Sequence, residues 1–369
     1  MKKNLFLKHA NAGIKQIKPY FPAKPVNELK KDLGLKKIIM LGNNENPLGP
    51  NPKAIKAIQK ATSSIADYPD SGGIFLKNKI AKKFKGELNF SENQIVLGNG
   101  SSEIISLLAQ AFLNNDNEVI FSKHAFIVYK LASQLQNTKI KEIPSLNWGA
   151  DLEAMLAAIT DKTRLIFIAN PNNPTGTFIS KNDLTAFIEQ VPPEIILVID
   201  EAYCEYVADP TFTSMLPWLD KYPNIVVVRT FSKAYGLAGL RIGYSISCPN
   251  IANILNRIRS AVNINHLALI AASVCIDDDT YLKKTFANNK FGMQQITNSL
   301  KKMGIDYIPS AANFIAIRFG KNAALLHTKL INHGIILCPL DSYEMSEYLR
   351  VTIGLPWQNK RFLETIQKL

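Results

Sequence analysis

The sequence predicts an α/β protein: a large body with a mostly parallel central sheet covered by helices on both faces, followed by a smaller α+β body. Two observations carry this. From about residue 90, short β-branched runs alternate with segments of helical period, which is the βαβ pattern of a buried parallel sheet. Past residue 248 the pattern changes to a helix-rich stretch and then a few separate strands. Taken in order, residues 1–45 read as an irregular arm, with Pro19, Pro22 and Pro25 close together. Segments 94–97, 118–121, 164–169, 195–199 and 224–229 read as buried strands, with helices over 101–112, 125–136 and 181–190 between them. A helical stretch covers 251–302. Strands near 313–318, 335–337 and 348–352 follow, with helices over 322–332 and 360–368. No internal repeat and no low-complexity segment interrupts the series.

Composition narrows the class. The 369 residues are 47% apolar and 20% charged, which excludes collagen-like, coiled-coil and wholly disordered chains. A chain of this length fits about two domains and buries a large core without staples. Cys204, Cys248, Cys275 and Cys338 lie far apart with no C-x-x-C pair, so neither a zinc ribbon nor a disulfide framework is expected, and a reducing compartment fits. The first residues carry too short an apolar run for a signal peptide, and no apolar stretch reaches the ~18 residues of a membrane span. A cytoplasmic protein is expected. Its net charge is +13, from 43 basic and 30 acidic residues, but the 35 lysines are spread as pairs such as Lys30-Lys31 and Lys301-Lys302. No polybasic tract or nucleic-acid motif appears, so no nucleic-acid partner is expected; the excess reads as solvated helix faces, with a mild pull on anionic metabolites.

In a sheet of this kind ligands sit beyond the carboxyl ends of the strands. Three predicted strand ends carry unusual residues. After 164–169 comes Asn170-Pro171-Asn172-Asn173-Pro174-Thr175-Gly176, a rigid turn rich in side-chain amides, with a cis peptide expected at Pro174. After 195–199 comes Asp200-Glu201-Ala202-Tyr203. A carboxylate ending an apolar strand is costly to leave unpaired, although a capping role is the ordinary alternative. After 224–229 comes Thr230-Phe231-Ser232-Lys233-Ala234-Tyr235-Gly236, with Arg241 eight positions beyond the lysine. A lysine among small and aromatic residues at a strand end can have a lowered pKa and act as a Schiff-base nucleophile.

One chemistry wants all three groups. An aldehyde cofactor needs a lysine for its imine, a pyridinium nitrogen needs a carboxylate, and a phosphate needs hydroxyls, backbone N–H groups and an arginine. Pyridoxal phosphate combines these needs. No metal site is expected.

On these runs the sequence resembles the aspartate-aminotransferase-like class of pyridoxal-phosphate enzymes (fold type I), and within it the histidinol-phosphate aminotransferase family. The resemblance extends from Pro19-Tyr20 and Asn44-Glu45-Asn46-Pro47-Leu48-Gly49 through Tyr68-Pro69-Asp70 to Leu349-Arg350-Val351-Thr352-Ile353-Gly354. It implies an arm over 1–45 contributing to the small domain and to dimer contacts, a cofactor-binding domain over 46–262 and a small domain over 263–369. It implies that Lys233 bonds the cofactor aldehyde, that Asp200 pairs with the pyridine nitrogen, and that Tyr203 and Asn173 hydrogen-bond the phenolic oxygen. Arg241, Thr230 and Ser232 would bind the phosphate with the turn Gly100-Ser101-Ser102, where the family more often has Asp at the position of Ser102. Phe126 would stack on the cofactor ring, whereas the adjoining His124 reads as structural. Tyr68 would reach the phosphate of the partner subunit in a homodimer with shared active sites. Tyr20, Asn46, Asn173 and Arg350 would meet substrate.

The implied reaction is transamination, with histidinol phosphate as amine donor and the glutamate/2-oxoglutarate pair closing the cycle, a step of histidine biosynthesis. One departure bears on the substrate. The family usually places a second arginine where this chain has Cys338, and a thiol cannot supply that charge-assisted fork, worth ~1.5–3 kcal/mol per hydrogen bond. Compensation by Arg318 or a lysine is one expectation. The loop from Asp341 to Ser346 also brings Asp341 and Glu344 toward the expected anion site. An aromatic amino-acid aminotransferase is therefore the nearest alternative, and a threonine-phosphate decarboxylase a further one.

Overall fold

The computed structural model describes residues 6–18, 26–35, 37–86 and 90–369. In chain order the strands are β1 (Ile39–Met40), β2 (Ile95–Gly98), β3 (Glu118–Ser122), β4 (Lys139–Ile143), β5 (Thr163–Ala169), β6 (Ile196–Asp200), β7 (Ile225–Thr230), β8 (Gly243–Ser247), β9 (Tyr307–Ile308), β10 (Phe314–Arg318), β11 (Ile335–Ile336), β12 (Cys338–Pro339) and β13 (Tyr348–Thr352). The helices are α1 (Val26–Asp32), α2 (Pro52–Ala61), α3 (Ile74–Lys83), α4 (Ser101–Phe112), α5 (Ile127–Leu135), α6 (Leu152–Ala157), α7 (Lys181–Ile188), α8 (Pro249–Ile258), α9 (His266–Cys275), α10 (Asp279–Met303), α11 (Ala323–Asn332) and α12 (Pro356–Lys368).

Seven strands form the large sheet in the order β2-β8-β7-β6-β5-β3-β4. Its pairs are parallel except those that β8 makes with β2 and β7. Each central strand is apolar on both faces because each face meets a different helix layer. Leu197, Ile199, Ile225 and Val227 pack into one core, and Ile196, Val198, Val226 and Val228 into the other. This is the predicted fold class. Two strands escape the sequence pattern. β4, Lys-Ile-Lys-Glu-Ile, lies on the sheet edge, where charged residues are tolerated. β8, Gly-Tyr-Ser-Ile-Ser, alternates with serines that are nonetheless buried.

The smaller body is an antiparallel sheet, β12-β13-β10-β9, packed against α10, α11 and α12 around Ile296, Leu300, Ile317, Leu330 and Phe362. The region expected as an irregular arm contains α1 and also β1, which pairs in parallel with β11. Of that arm, Pro19, Tyr20, Pro22 and Pro25 lie outside the described residues. The boundary expected at 262/263 falls within one packed core. α9 lies beyond it, yet Ala268, Ala271, Ala272 and Cys275 join the large-sheet core, because this nearly all-apolar helix has to be buried on more than one side.

Candidate active site

Parallel pairing places Ala169 opposite Asp200 and Asp200 opposite Val228, so the ends of β5, β6 and β7 lie side by side. A cleft of about 390 Å³ opens beyond them, closed by Asn43, Asn44 and Glu45 from the arm and by Tyr343 and Arg350 from the smaller body.

Asp200 forms the floor and is 4% exposed. Its Oδ2 accepts from the Tyr129 hydroxyl at 2.8 Å and its Oδ1 from the Ala202 N–H at 3.1 Å. Burial lifts its pKa to about 6 against the pull of these two donors; Glu201 pushes it further up and Lys233 holds it down. Tyr129 is itself fully buried, stacked on Phe167 at 4.8 Å and meeting Phe126 edge-on at 5.8 Å. One side chain thus braces both the carboxylate and the aromatic wall.

Lys233 follows the end of β7 in a tight loop. Its Nζ donates to the Asn43 carbonyl at 3.2 Å and lies over the Tyr203 ring, 5.8 Å from the centroid. Burial lowers its pKa to about 8, and the Arg350 and Arg241 guanidinium groups push the same way; Glu45 and Asp200 oppose them. The Tyr203 hydroxyl accepts from Asn44 Nδ2 at 3.1 Å, and burial moves its pKa up to about 12.

The far wall suits an anion. Gly100 has φ +82°, and a Cβ there would overlap the Arg241 guanidinium, so glycine lets that cation lie against the start of α4. Ser101 and Ser102 open α4, whose first N–H groups have no intrahelical acceptor. Arg241 Nη1 donates to Ser232 Oγ at 3.2 Å, and Ser232 N donates to Thr230 Oγ1 at 3.1 Å. All five of these side-chain-bearing residues line the cleft, as do Phe126 and Asn173. At the opposite end Arg350 is buried, with Nη1 donating to Asn173 Oδ1 at 2.5 Å and Nη2 to the Gly42 carbonyl at 3.0 Å. Its Nε has no partner.

Some expected residues are elsewhere. Asn46 does not line the cleft; its Nδ2 is used up on the Ala234 carbonyl at 2.9 Å and Thr285 Oγ1 at 3.0 Å, which anchors the Lys233 loop. Asn44, two residues earlier, faces the cleft instead. Tyr68 is 91% exposed and outside the cleft, and Tyr20 is outside the described residues. Asp341 and Glu344 point away: neither lines the cleft, and Glu344 pairs with Lys123 at 2.7 Å. Arg318 does not compensate for Cys338, because it is taken by Glu347 at 2.8 Å. Both Asn-Pro bonds, at Pro171 and Pro174, are cis. Asn44, Tyr129 and Tyr343 had no sequence signal of their own, except that Tyr129 stands one helical turn beyond Phe126.

The model of the class I and II aminotransferases matches residues 36–366. The chain belongs to that family. This aminotransferase is 46% identical to histidinol-phosphate aminotransferase 1 of Idiomarina loihiensis, over 98% of both chains. It is also 46% identical to histidinol-phosphate aminotransferase 2 of Pseudomonas fluorescens, over 99% of this chain and 98% of the relative. Among solved structures, histidinol-phosphate aminotransferase from Sinorhizobium meliloti in complex with pyridoxal-5'-phosphate superposes with a TM-score of 0.86 at 27% identity, covering 97% of this chain and 98% of that one. Behind the aminotransferase cleft, Arg229 donates from Nε and Nη2 to Glu201 Oε2 at 3.0 and 2.8 Å. This buried pair ties the ends of β6 and β7 from below. Among the described residues no helix is long and apolar enough to cross a membrane, and no cluster of residues suits a metal ion.

Proposed function

We propose that this aminotransferase moves the amino group of histidinol phosphate to 2-oxoglutarate, yielding glutamate, with pyridoxal phosphate as its cofactor. The observation that carries the reading is the meeting of Lys233, Asp200 and Arg241 around one cleft, with Arg350 at its other end. The residues present fit the cofactor. A carboxylate buried as deeply as Asp200 needs a cation, and a protonated pyridine nitrogen is one. The open N–H groups of Ser101 and Ser102, the hydroxyls of Thr230 and Ser232 and the Arg241 guanidinium suit a phosphate. Tyr203 and the free amide nitrogen of Asn173 suit the phenolic oxygen, and Phe126 offers a flat wall. When bound, the cofactor supplies an aldehyde for a covalent link to Lys233 and an electron sink for the substrate's Cα carbon.

The chain's own groups do the rest. Once the substrate amine had replaced it on the cofactor aldehyde, Lys233 Nζ, its pKa lowered by burial, would be free to take the Cα proton as a general base and return it to the cofactor carbon that bore the aldehyde. Asp200, supported by the Tyr129 hydroxyl, stays charged opposite the pyridine nitrogen. Arg350 lines the end of the cleft where the substrate anion would lie, and its planar fork suits phosphate or carboxylate equally. Since Cys338 and Arg318 add nothing there, Arg350 carries that anion without a second arginine.

Cytoplasmic location and a homodimer belong to the same reading. Tyr68 is exposed, as are Ile65 and Phe75 in the same stretch of chain, as a residue serving a partner's site would be. The test is a panel of histidinol phosphate, phenylalanine, tyrosine and threonine phosphate as donors with 2-oxoglutarate. Histidinol phosphate should give the highest kcat/KM with stoichiometric glutamate. A higher value for phenylalanine or tyrosine would favour the aromatic alternative that Cys338 raises. Carbon dioxide release from threonine phosphate without glutamate would favour the decarboxylase.

A further inference from the structure

Residues 146–149 form a tight turn closed by Leu146 N to the Gly149 carbonyl (3.1 Å) and Gly149 N to the Leu146 carbonyl (2.9 Å). Both central residues have positive φ, 50° at Asn147 and 66° at Trp148. A turn of this hand favours Asn-Gly. Asn147 conforms, but Trp148 occupies the position where glycine is the ordinary choice, and a bulky residue there is strained. Such strain persists only where the surroundings hold it, and it tends to mark a functional constraint.

The surroundings are specific. The indole lies between the His124 imidazole, with centroids 5.3 Å apart, and the Tyr348 ring, 5.1 Å away at 64°. His124 stands two residues before Phe126, and its carbonyl accepts from Asn172 Nδ2 at 2.7 Å in the turn that carries Asn173. Tyr348 opens β13, two residues before Arg350. The Trp148 carbonyl accepts from Thr177 Oγ1 at 3.2 Å, just past that same turn. Trp148 and Ile127 are the large body's contribution to a small-body apolar cluster of Ile308, Ala316, Leu340, Tyr343 and Met345. The nearby Lys123–Glu344 ion pair also bridges the two bodies, but both partners are well exposed and such pairs contribute little. The rings therefore dominate this joint.

We infer that Trp148 is a positioning residue for the substrate-anion end of the site: its indole fixes β13, which bears Arg350, and the turn bearing Tyr343 against the loops bearing Phe126 and Asn173. The inference rests on the reading of Arg350 as the anion's binding group. The test compares cofactor-loaded Trp148→Gly, Trp148→Phe, Tyr348→Ala and the Trp148→Gly/Tyr348→Ala double variant with wild type. In Trp148→Gly and Tyr348→Ala, KM for both the amine donor and 2-oxoglutarate should rise about tenfold while kcat stays within about threefold. The bound-cofactor absorbance should not change. Trp148→Phe, which keeps a ring on the same backbone, should recover most of the lost affinity. The double variant should be no worse than either single one, since both remove the same contact. The melting temperature of Trp148→Gly should not fall in step with its KM, because glycine relieves the turn. A KM within twofold of wild type in Trp148→Gly or in Tyr348→Ala overturns the inference, as does a melting temperature that drops while KM holds. Preference of the wild type for another amine would overturn the substrate assignment alone, because 2-oxoglutarate also needs Arg350 and its KM still reads the joint.

Discussion

Replacing Asp200 by Asn keeps the shape of the floor and removes its charge. In the protein freed of cofactor, Asp200 has a pKa of about 6 against an ordinary value of 3.8, chiefly through burial. The folded state therefore binds a proton more tightly than the unfolded chain. The stability this confers is complete below pH 3.8 and is lost as pH rises toward 6, a change of about 3 kcal/mol. Asn does not titrate. It keeps an acceptor for Tyr129 but not one for the Ala202 N–H, a loss of about 1 kcal/mol at every pH, so the slope is the measurement and not the offset. Urea midpoints of the cofactor-free proteins between pH 4 and 8 should show Asp200→Asn gaining on wild type by about 2.4 kcal/mol and levelling above pH 6. With cofactor bound the ranking should reverse in function, with turnover falling by at least about 10²-fold, as when other charge-stabilising groups are removed. A gap between the two proteins that does not change with pH would refute the reasoning, as would an Asn variant within tenfold of wild-type turnover.

Lys233 should show its lowered pKa in the rate at which cofactor-free protein takes up pyridoxal phosphate, which follows the neutral amine. The rate should climb from pH 7, reach half its plateau near pH 8 and level about a unit above; a midpoint near the ordinary 10.5 would refute the assignment. Beneath the site, Glu201 accepts from Arg229, from Ser214 Oγ at 2.8 Å and from the Met215 N–H at 2.6 Å. Arg229→Met strands that buried carboxylate and should cost about 3–5 kcal/mol in urea denaturation, much of it recovered in Arg229→Met/Glu201→Leu; a single variant within about 1 kcal/mol of wild type would show the pair is not needed.

The sheet and three of its strand ends were legible because they depend on local signals. Runs such as Ile-Leu-Val-Ile can be satisfied only between two helix layers, and an Asp and a Lys at the ends of two of them stand where a sheet of this kind holds its ligands. What was hidden depends on distant segments. Asn44 and Asn46 are chemically alike and two residues apart, and only the packing of the arm against Ala234 and Thr285 decides which of them faces the cleft. Tyr129 is a core residue whose sequence context gave only its spacing from Phe126; its hydroxyl matters because α5 sets it 2.8 Å from Asp200. Glu344 looked like an acidic intruder at an anion site, but the chain carries it outward at φ 58° to Lys123. β4 and β8 went unread because an edge strand and a serine-bearing buried strand lack the apolar run that marks the others.

The two perturbed groups act on each other directly, and Lys233 answers to Arg350 as well. Burial is the first cause at both: it moves Asp200 toward its neutral acid and Lys233 toward its neutral amine. A pyridinium beside Asp200 would restore that carboxylate's charge, and a phosphate on Arg241 would soften that arginine's smaller push on Lys233. Lys233 is kept neutral next by Arg350, the second cause of its shift. In the proposed function the same guanidinium would hold the substrate anion. When that anion settles on Arg350 it screens the positive field at Lys233 Nζ, and the amine becomes a stronger base as the substrate Cα arrives. Sulfate, which suits Arg350 and the Arg241 wall alike, should therefore move the midpoint of the cofactor-uptake curve to higher pH, and an Arg350→Met variant should lose the larger part of that response; a full response in the variant would refute the coupling.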